Sequence, residues 1–137
     1  MITGGKILSA SAERFKDGQV KGLSVHMDIG KLEEDEKNLK VTYTCTFKYD
    51  EGIAEIVVKG ELFALEDVDR RKKVLDDWKK NKLLTSDFAE EVLTAINYAS
   101  ASTGTLLAYS VGLGAPLNVP RARVEEAPKD KKPSKAG

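Results

Sequence analysis

Over the first 65 positions apolar and polar residues alternate with period two, and after Leu65 the period lengthens to between three and four. Such a switch predicts strands followed by helices. Lys6 to Phe15 alternates imperfectly, with Leu8, Ala10 and Ala12 on one face and Ile7, Ser9, Ser11 and Glu13 on the other, and Lys16-Asp17-Gly18-Gln19 supplies turn chemistry after it. Leu23, Val25, Met27 and Ile29 alternate cleanly with Ser24, His26 and Asp28, which predicts a half-buried strand. Gly30 to Asn38, with Glu33-Glu34-Asp35-Glu36, is expected as an acidic loop, solvated or docking a basic partner. From Leu39 to Tyr49 the apolar set Leu39, Val41, Tyr43, Cys45, Phe47 and Tyr49 alternates with lysines and threonines, the clearest strand signal in the chain.

Ile53 to Leu65 forms the fourth predicted strand, with Ala54, Ile56, Val58, Leu62 and Ala64 in phase. A two-residue turn at Glu51-Gly52, or a four-residue loop Asp50 to Ile53, sets Phe47 against Ile56, Cys45 against Val58, Tyr43 against Gly60 and Val41 against Leu62. That register keeps one face of the ribbon dry, faces Lys48 with Glu55, and lets the Tyr43 ring cover Gly60. A three-residue loop bulged at Gly52 would set Phe47 against Glu55 and is rejected.

Acidic residues at Glu66, Asp67 and Asp69 and basic ones at Lys79, Lys80 and Lys82 match the two ends of a helix dipole, so a helix is predicted from about Asp67 to Asn81. Its apolar stripe, Val68, Val74, Leu75 and Trp78, is narrow, which places it at the surface with Trp78 as an anchoring aromatic. A second, longer helix is predicted after Ser86 or Asp87, with Glu90 or Glu91 reaching back in a capping box. Phe88, Val92, Ala95, Ile96, Ala99, Leu106 and Tyr109 fall roughly on one stripe of it. From Val92 to Pro120 there is no ionisable acid or base except tyrosine, in a chain that is 32% charged. Small residues fill much of the remaining circumference, the mark of a helix packed on more than one side. Asn97, Ser100, Ser102, Thr103 and Thr105 dilute its hydrophobicity and Gly112, Gly114 and Pro116 break it, so membrane insertion is not expected. Leu117-Asn118-Val119-Pro120 is expected to run extended, and 125–137 to be a disordered charged tail behind one domain spanning 1–124.

Charge and chemistry narrow the function. Lys plus Arg and Asp plus Glu both number 22, so neither nucleic acid nor an anionic membrane is an expected partner. The single Cys45 excludes an internal disulfide, and the single His26, on a polar strand face, brings no metal cluster or cofactor with it. Met1 to Ile7 lacks a cationic segment followed by an apolar core, so a cytoplasmic location is expected. The spacing Gly112-Leu113-Gly114 is not followed by the helix and lysine of a phosphate loop. Asp35-Glu36, Asp76-Asp77 and Glu90-Glu91 are sequence neighbours with no motif to converge them, so no enzyme activity is expected.

Four antiparallel strands, a surface helix and a long small-residue helix resemble the SecB export-chaperone family and its SecB-like relatives. The run Ser102-Thr103-Gly104-Thr105 through Pro116-Leu117-Asn118-Val119-Pro120 is similar to the helix end and proline-bounded segment of that family, and the resemblance covers roughly Ile7 to Val124. It implies an α+β fold, assembly through the sheet edge and long helix as a dimer or tetramer, and apolar grooves that hold unfolded polypeptide or preproteins. Carried onto this chain, Ala95, Ala99, Ser102 and Gly104 would form the interface, and Leu106, Leu107, Tyr109, Val111, Leu113 and Leu117 would line the groove. A client without fixed geometry demands exposed apolar surface rather than a shaped catalytic site. Two other uses of the fold remain open: binding a small apolar ligand between sheet and helix, or joining a larger assembly as a structural subunit.

Overall fold

The structure, a computed structural model, describes residues 1–114 of the 137. Strands β1 (Ile2–Arg14), β2 (Leu23–Asp35), β3 (Asn38–Tyr49) and β4 (Ala54–Leu65) precede helices α1 (Val68–Asn81) and α2 (Ser86–Ser110). The strands make one antiparallel sheet in the order β1-β4-β3-β2, so the fold is α+β. The expectations for Leu117, for Leu117 to Pro120, for the domain end at 124 and for the 125–137 tail lie outside the described residues.

The β3–β4 register is the predicted one: Phe47 pairs Ile56, Cys45 pairs Val58, Tyr43 pairs Gly60, Val41 pairs Leu62 and Lys48 pairs Glu55. Glu51 and Gly52 both take positive φ, 61° and 68°, and the Ile53 N–H donates to Asp50 O at 3.3 Å. This is the twist-matched geometry of a tight hairpin, framed by the 3-10 turn at Asp50–Gly52. Tyr43 lies over Gly60 so closely that a Cβ there would come within 2.5 Å of the phenol oxygen.

Bulges account for two departures from the predicted pattern. Residues Glu33 to Asp35 are not loop but the end of β2, and the connection shrinks to Glu36-Lys37, with Glu36 at φ 61°. An extra residue at Gly30 shifts the pairing between Ile29 and Lys31, so Leu32 takes the dry side opposite Val41 and the alternation read from sequence breaks there. β1 begins at Ile2, four residues earlier than predicted, and Leu8 is bulged between Ile7, opposite Gly60, and Ser9, opposite Lys59. The bulge moves Ile7 to the side of Ala10 and Ala12 and separates Leu8 from them.

Both helices cover the dry face. The core joins Leu39, Val41, Phe47, Ile56 and Val58 of the sheet to Val74 of α1 and Phe88, Val92 and Ile96 of α2. Asp67 caps α1, accepting from the Arg70 N–H at 2.9 Å, and Lys82 closes it in a left-handed conformation. The predicted cap of α2 gives way to a tertiary contact. Thr85 is the N-cap without a side-chain bond, and Glu91 accepts from the Ile2 N–H at 3.1 Å instead of reaching back to its own helix.

Candidate functional site

The buried positions of α2 are Phe88, Val92, Ile96, Ser100, Gly104 and Ala108, an unbroken i+4 series, with Ala89 beside them. Four residues turn an α-helix by about 40° more than a full circle, so this line winds around α2 as it crosses the twisted sheet. Leu106 lies 18 residues beyond Phe88, five turns on, and projects at the same angle in a straight helix. It is nevertheless 74% exposed where Phe88 is wholly buried. The stripe read from sequence therefore splits, its first half on the core and its second half in solvent.

Opposite the winding core line stand Thr94, Tyr98, Ser102, Leu106 and Tyr109, all exposed, with Tyr98 at 79% and Tyr109 at 63%. No charge interrupts this face. Of the interface candidates, Ala95 and Ala99 are half-buried and Ser102 is exposed, bonding back to Tyr98 O at 3.0 Å. Gly104 is buried on the inner line of α2. The groove candidates are likewise divided. Leu106 and Tyr109 are exposed, Leu107 and Val111 pack half-buried against the core, and Leu113 lies in it, 5% exposed.

Beside α2, Ile2, Ile7, Tyr43, Leu62 and Ala99, with Lys6 and Glu61 also in the lining, bound a cleft of about 210 Å³. Beneath it sits a small polar group of residues. Ser100 Oγ is fully buried, near enough to Tyr43 and Cys45 to ease the ionisation of both, yet among the described residues it meets no partner at hydrogen-bond geometry. Burial dominates for these two groups: it pushes the Tyr43 phenol up, with Cys45 adding to the rise, and it pushes the Cys45 thiol up. Cys45, wholly buried, packs as a small hydrophobe. Asn97 Oδ1 is a second buried acceptor on α2 without a partner among the described residues.

The acidic pairs weighed as candidate chemistry are engaged elsewhere or apart. Asp77 meets Lys73 at 3.8 Å, Glu91 holds the start of β1, and Asp35 and Glu36 lie at a hairpin turn. His26 is exposed on the open sheet face. Trp78 is half-buried with Lys82 over its ring at 5.3 Å. No group of three or more metal-ligating side chains occurs among the described residues, and no helix there is long and apolar enough to cross a membrane. Sequence reading passed over Tyr98, Arg14 and Tyr49 as site residues. The i+4 series of Ser100, Gly104 and Ala108 was the available signal for Tyr98, since a core line of small residues implies an outer line two positions away.

No family model and no curated protein matches the chain. Among solved structures it is similar to the Mycobacterium tuberculosis SecB-like chaperone determined in complex with a ChAD peptide from the HigA1 antitoxin. The TM-score is 0.56 at 10% identity, over 84% of this chain and 82% of that one. Sheet order, helix placement and this likeness agree that the chain has a SecB-like fold.

Proposed function

We propose that the protein is a chaperone-like holder of unfolded polypeptide that acts without a catalytic step. The observation that carries this reading is the uncharged outer face of α2, where Tyr98, Leu106 and Tyr109 stand exposed. The fold it shares with a peptide-binding SecB-like chaperone supports the same reading. Aromatic and branched side chains on a helix face offer contact area with little geometric demand, which suits clients of variable sequence. Leu107 and Val111 flank that face from the core side.

Self-association belongs to the proposal. From Ile7 to Ala12 the free edge of β1 carries no charge, bounded by Lys6 and Glu13. With Leu8 bulged on each strand, a second copy pairing antiparallel about Ala10 matches Ser9 with Ser11, Ile7 with Ala12 and Lys6 with Glu13. Every matched pair shares a face and the end charges are complementary. Ala10→Cys, oxidised, is expected to give a disulfide-linked dimer, because the Cα atoms of facing residues in an antiparallel pair stand about 4.5–5.5 Å apart, within disulfide reach. The holding activity is tested by light scattering of a reduced, aggregating polypeptide. Suppression without nucleotide is expected, and unaltered aggregation at stoichiometric excess rejects the reading. The 210 Å³ cleft favours the second reading, a small apolar ligand; a ligand retained in native mass spectrometry of the purified protein would support it.

A further inference from the structure

A helix leaves its last four carbonyls without internal partners, and cations are favoured beside them. α2 has no basic residue in its last turn. The cation comes from the far end of the chain: Arg14, the last residue of β1, donates from Nε to Val111 O at 3.1 Å and from Nη2 to Gly112 O at 2.8 Å, while its Nη1 donates to Lys16 O at 3.3 Å. Tyr49, closing β3, donates its hydroxyl to Gly114 O at 2.9 Å. Between these two anchors Gly112 turns through φ 72°, the Leu113 N–H reaches Ala108 O at 2.8 Å, and the Leu113 side chain enters the core.

We propose that Arg14 and Tyr49 form a releasable clasp on the C-terminal turn of α2, closed in this structure. Its opening adds Val111 and Leu113 to the apolar surface that Leu106 and Tyr109 already expose. The inference rests on the client-holding reading, since it assigns regulation to the same surface. Every bond of the clasp ends on a main-chain carbonyl of this turn or of the adjoining loop, and the Arg14 bonds to Lys16 and Gly112 are solvent-exposed, where water competes. A four-residue turn held by a few such bonds sits at the low-stability end of a fold whose helix body is locked by Phe88, Val92 and Ile96. An unfolded client supplies what favours the open state, because its apolar side chains contact Leu113 only when the clasp is open. Arg14 and Tyr49 are positioning residues, acting through the turn they hold.

The test uses the full chain carrying Arg14→Gln, Tyr49→Phe, both, or the conservative Arg14→Lys. Amide exchange at Val111 and Leu113 is expected to accelerate at least tenfold in the double variant and less in Arg14→Lys, with bis-ANS fluorescence rising. Protection at Val92 and Ile96 should persist, showing that the fold survives. Affinity for reduced, carboxymethylated lactalbumin is expected to rise several-fold, in step with the enlarged open population. Unchanged exchange at Leu113, or polypeptide binding that stays constant or weakens as exchange accelerates, overturns the clasp alone. Absence of binding by wild type and all variants overturns the client reading itself, and the clasp falls with it.

Discussion

The two outer strands of the sheet have the same length, 13 residues, and opposite treatments. Along β2 exposure alternates from Leu23 to Ile29, and beyond the bulge α1 packs against the strand. Leu32 is buried there, Arg71 of α1 bonds Glu34 at 2.8 Å and the Lys37 carbonyl at 3.4 Å, and charges crowd the strand end. Along β1 every residue from Thr3 to Ser11 is exposed, including Ile7 at 38% and Leu8 at 53% on a stretch without charge. An edge strand presents unpaired backbone donors and acceptors, and proteins blunt it by cover, charge or bulges. β2 has all three. β1 has a bulge at Leu8 and α2 alongside it, but its side chains from Thr3 to Ser11 stay exposed and no charge falls between Ile7 and Ala12, which is why the proposed pairing is placed on this edge.

The two edges differ most in what their apolar side chains bury. Leu32→Ala in β2 is expected to lower stability by about 2–4 kcal/mol, whereas Leu8→Ala in β1 should cost less than about 0.5 kcal/mol in the monomer. Denaturant titration of both variants decides it; equal losses would mean that β1 is covered after all. Association comes next. Ala10→Lys sets like charges together at the proposed two-fold and should weaken self-association roughly 10- to 100-fold, about 1–3 kcal/mol, while His26→Lys on β2 leaves the mass by light scattering unchanged.

The glycines of the two edges sharpen the contrast. A Cβ on Gly5 would stand 2.6 Å from Glu61 O, so Gly5→Ala should cost about 1–2 kcal/mol, whereas at Gly30 the nearest atom is Thr42 O at 3.7 Å and Gly30→Ala should be near neutral in thermal unfolding. The smallest effect concerns the strands that both edges flank. Cys45, Tyr43 and Tyr49 hold their protons to higher pH in the fold than in the unfolded chain, first of all because they are buried. Above the ordinary thiol value of about 8.5 the unfolded chain binds fewer protons than the folded one, so stability falls as pH rises. Cys45→Ala should delay the onset of that fall to the phenol range, about 10; an unaltered pH profile would place the thiol outside the core.

Much of the fold was legible from residue order because its signals are local. Tyr43, Cys45 and Phe47 could face only Gly60, Val58 and Ile56 if one side was to stay dry, and the pairing follows. α1 announced itself by Asp67 at its start and Lys79 and Lys80 at its end. The candidate site was legible only in part. The uncharged run identified α2 as the helix that matters, but an angular projection grouped Leu106 with Phe88, and only the path of α2 over a twisted sheet separates them. Bulges at Leu8 and Gly30 were equally hidden, since one extra residue inverts every later face without altering composition.

Sequence alone determined the strand periods, the central hairpin and the two helices, all of which depend on neighbours a few positions apart. Tertiary structure alone decided that Glu91 holds β1 instead of capping its own helix, that Arg14 and Tyr49 grip the end of α2, and that Leu113 is inside while Leu106 is outside. The first set follows from the spacing of side chains along a regular backbone. The second requires partners between 65 and 98 residues apart, the turn at Gly112 that carries Leu113 inward, or, for Leu106, the angle at which a helix crosses a sheet, and nothing local encodes any of these.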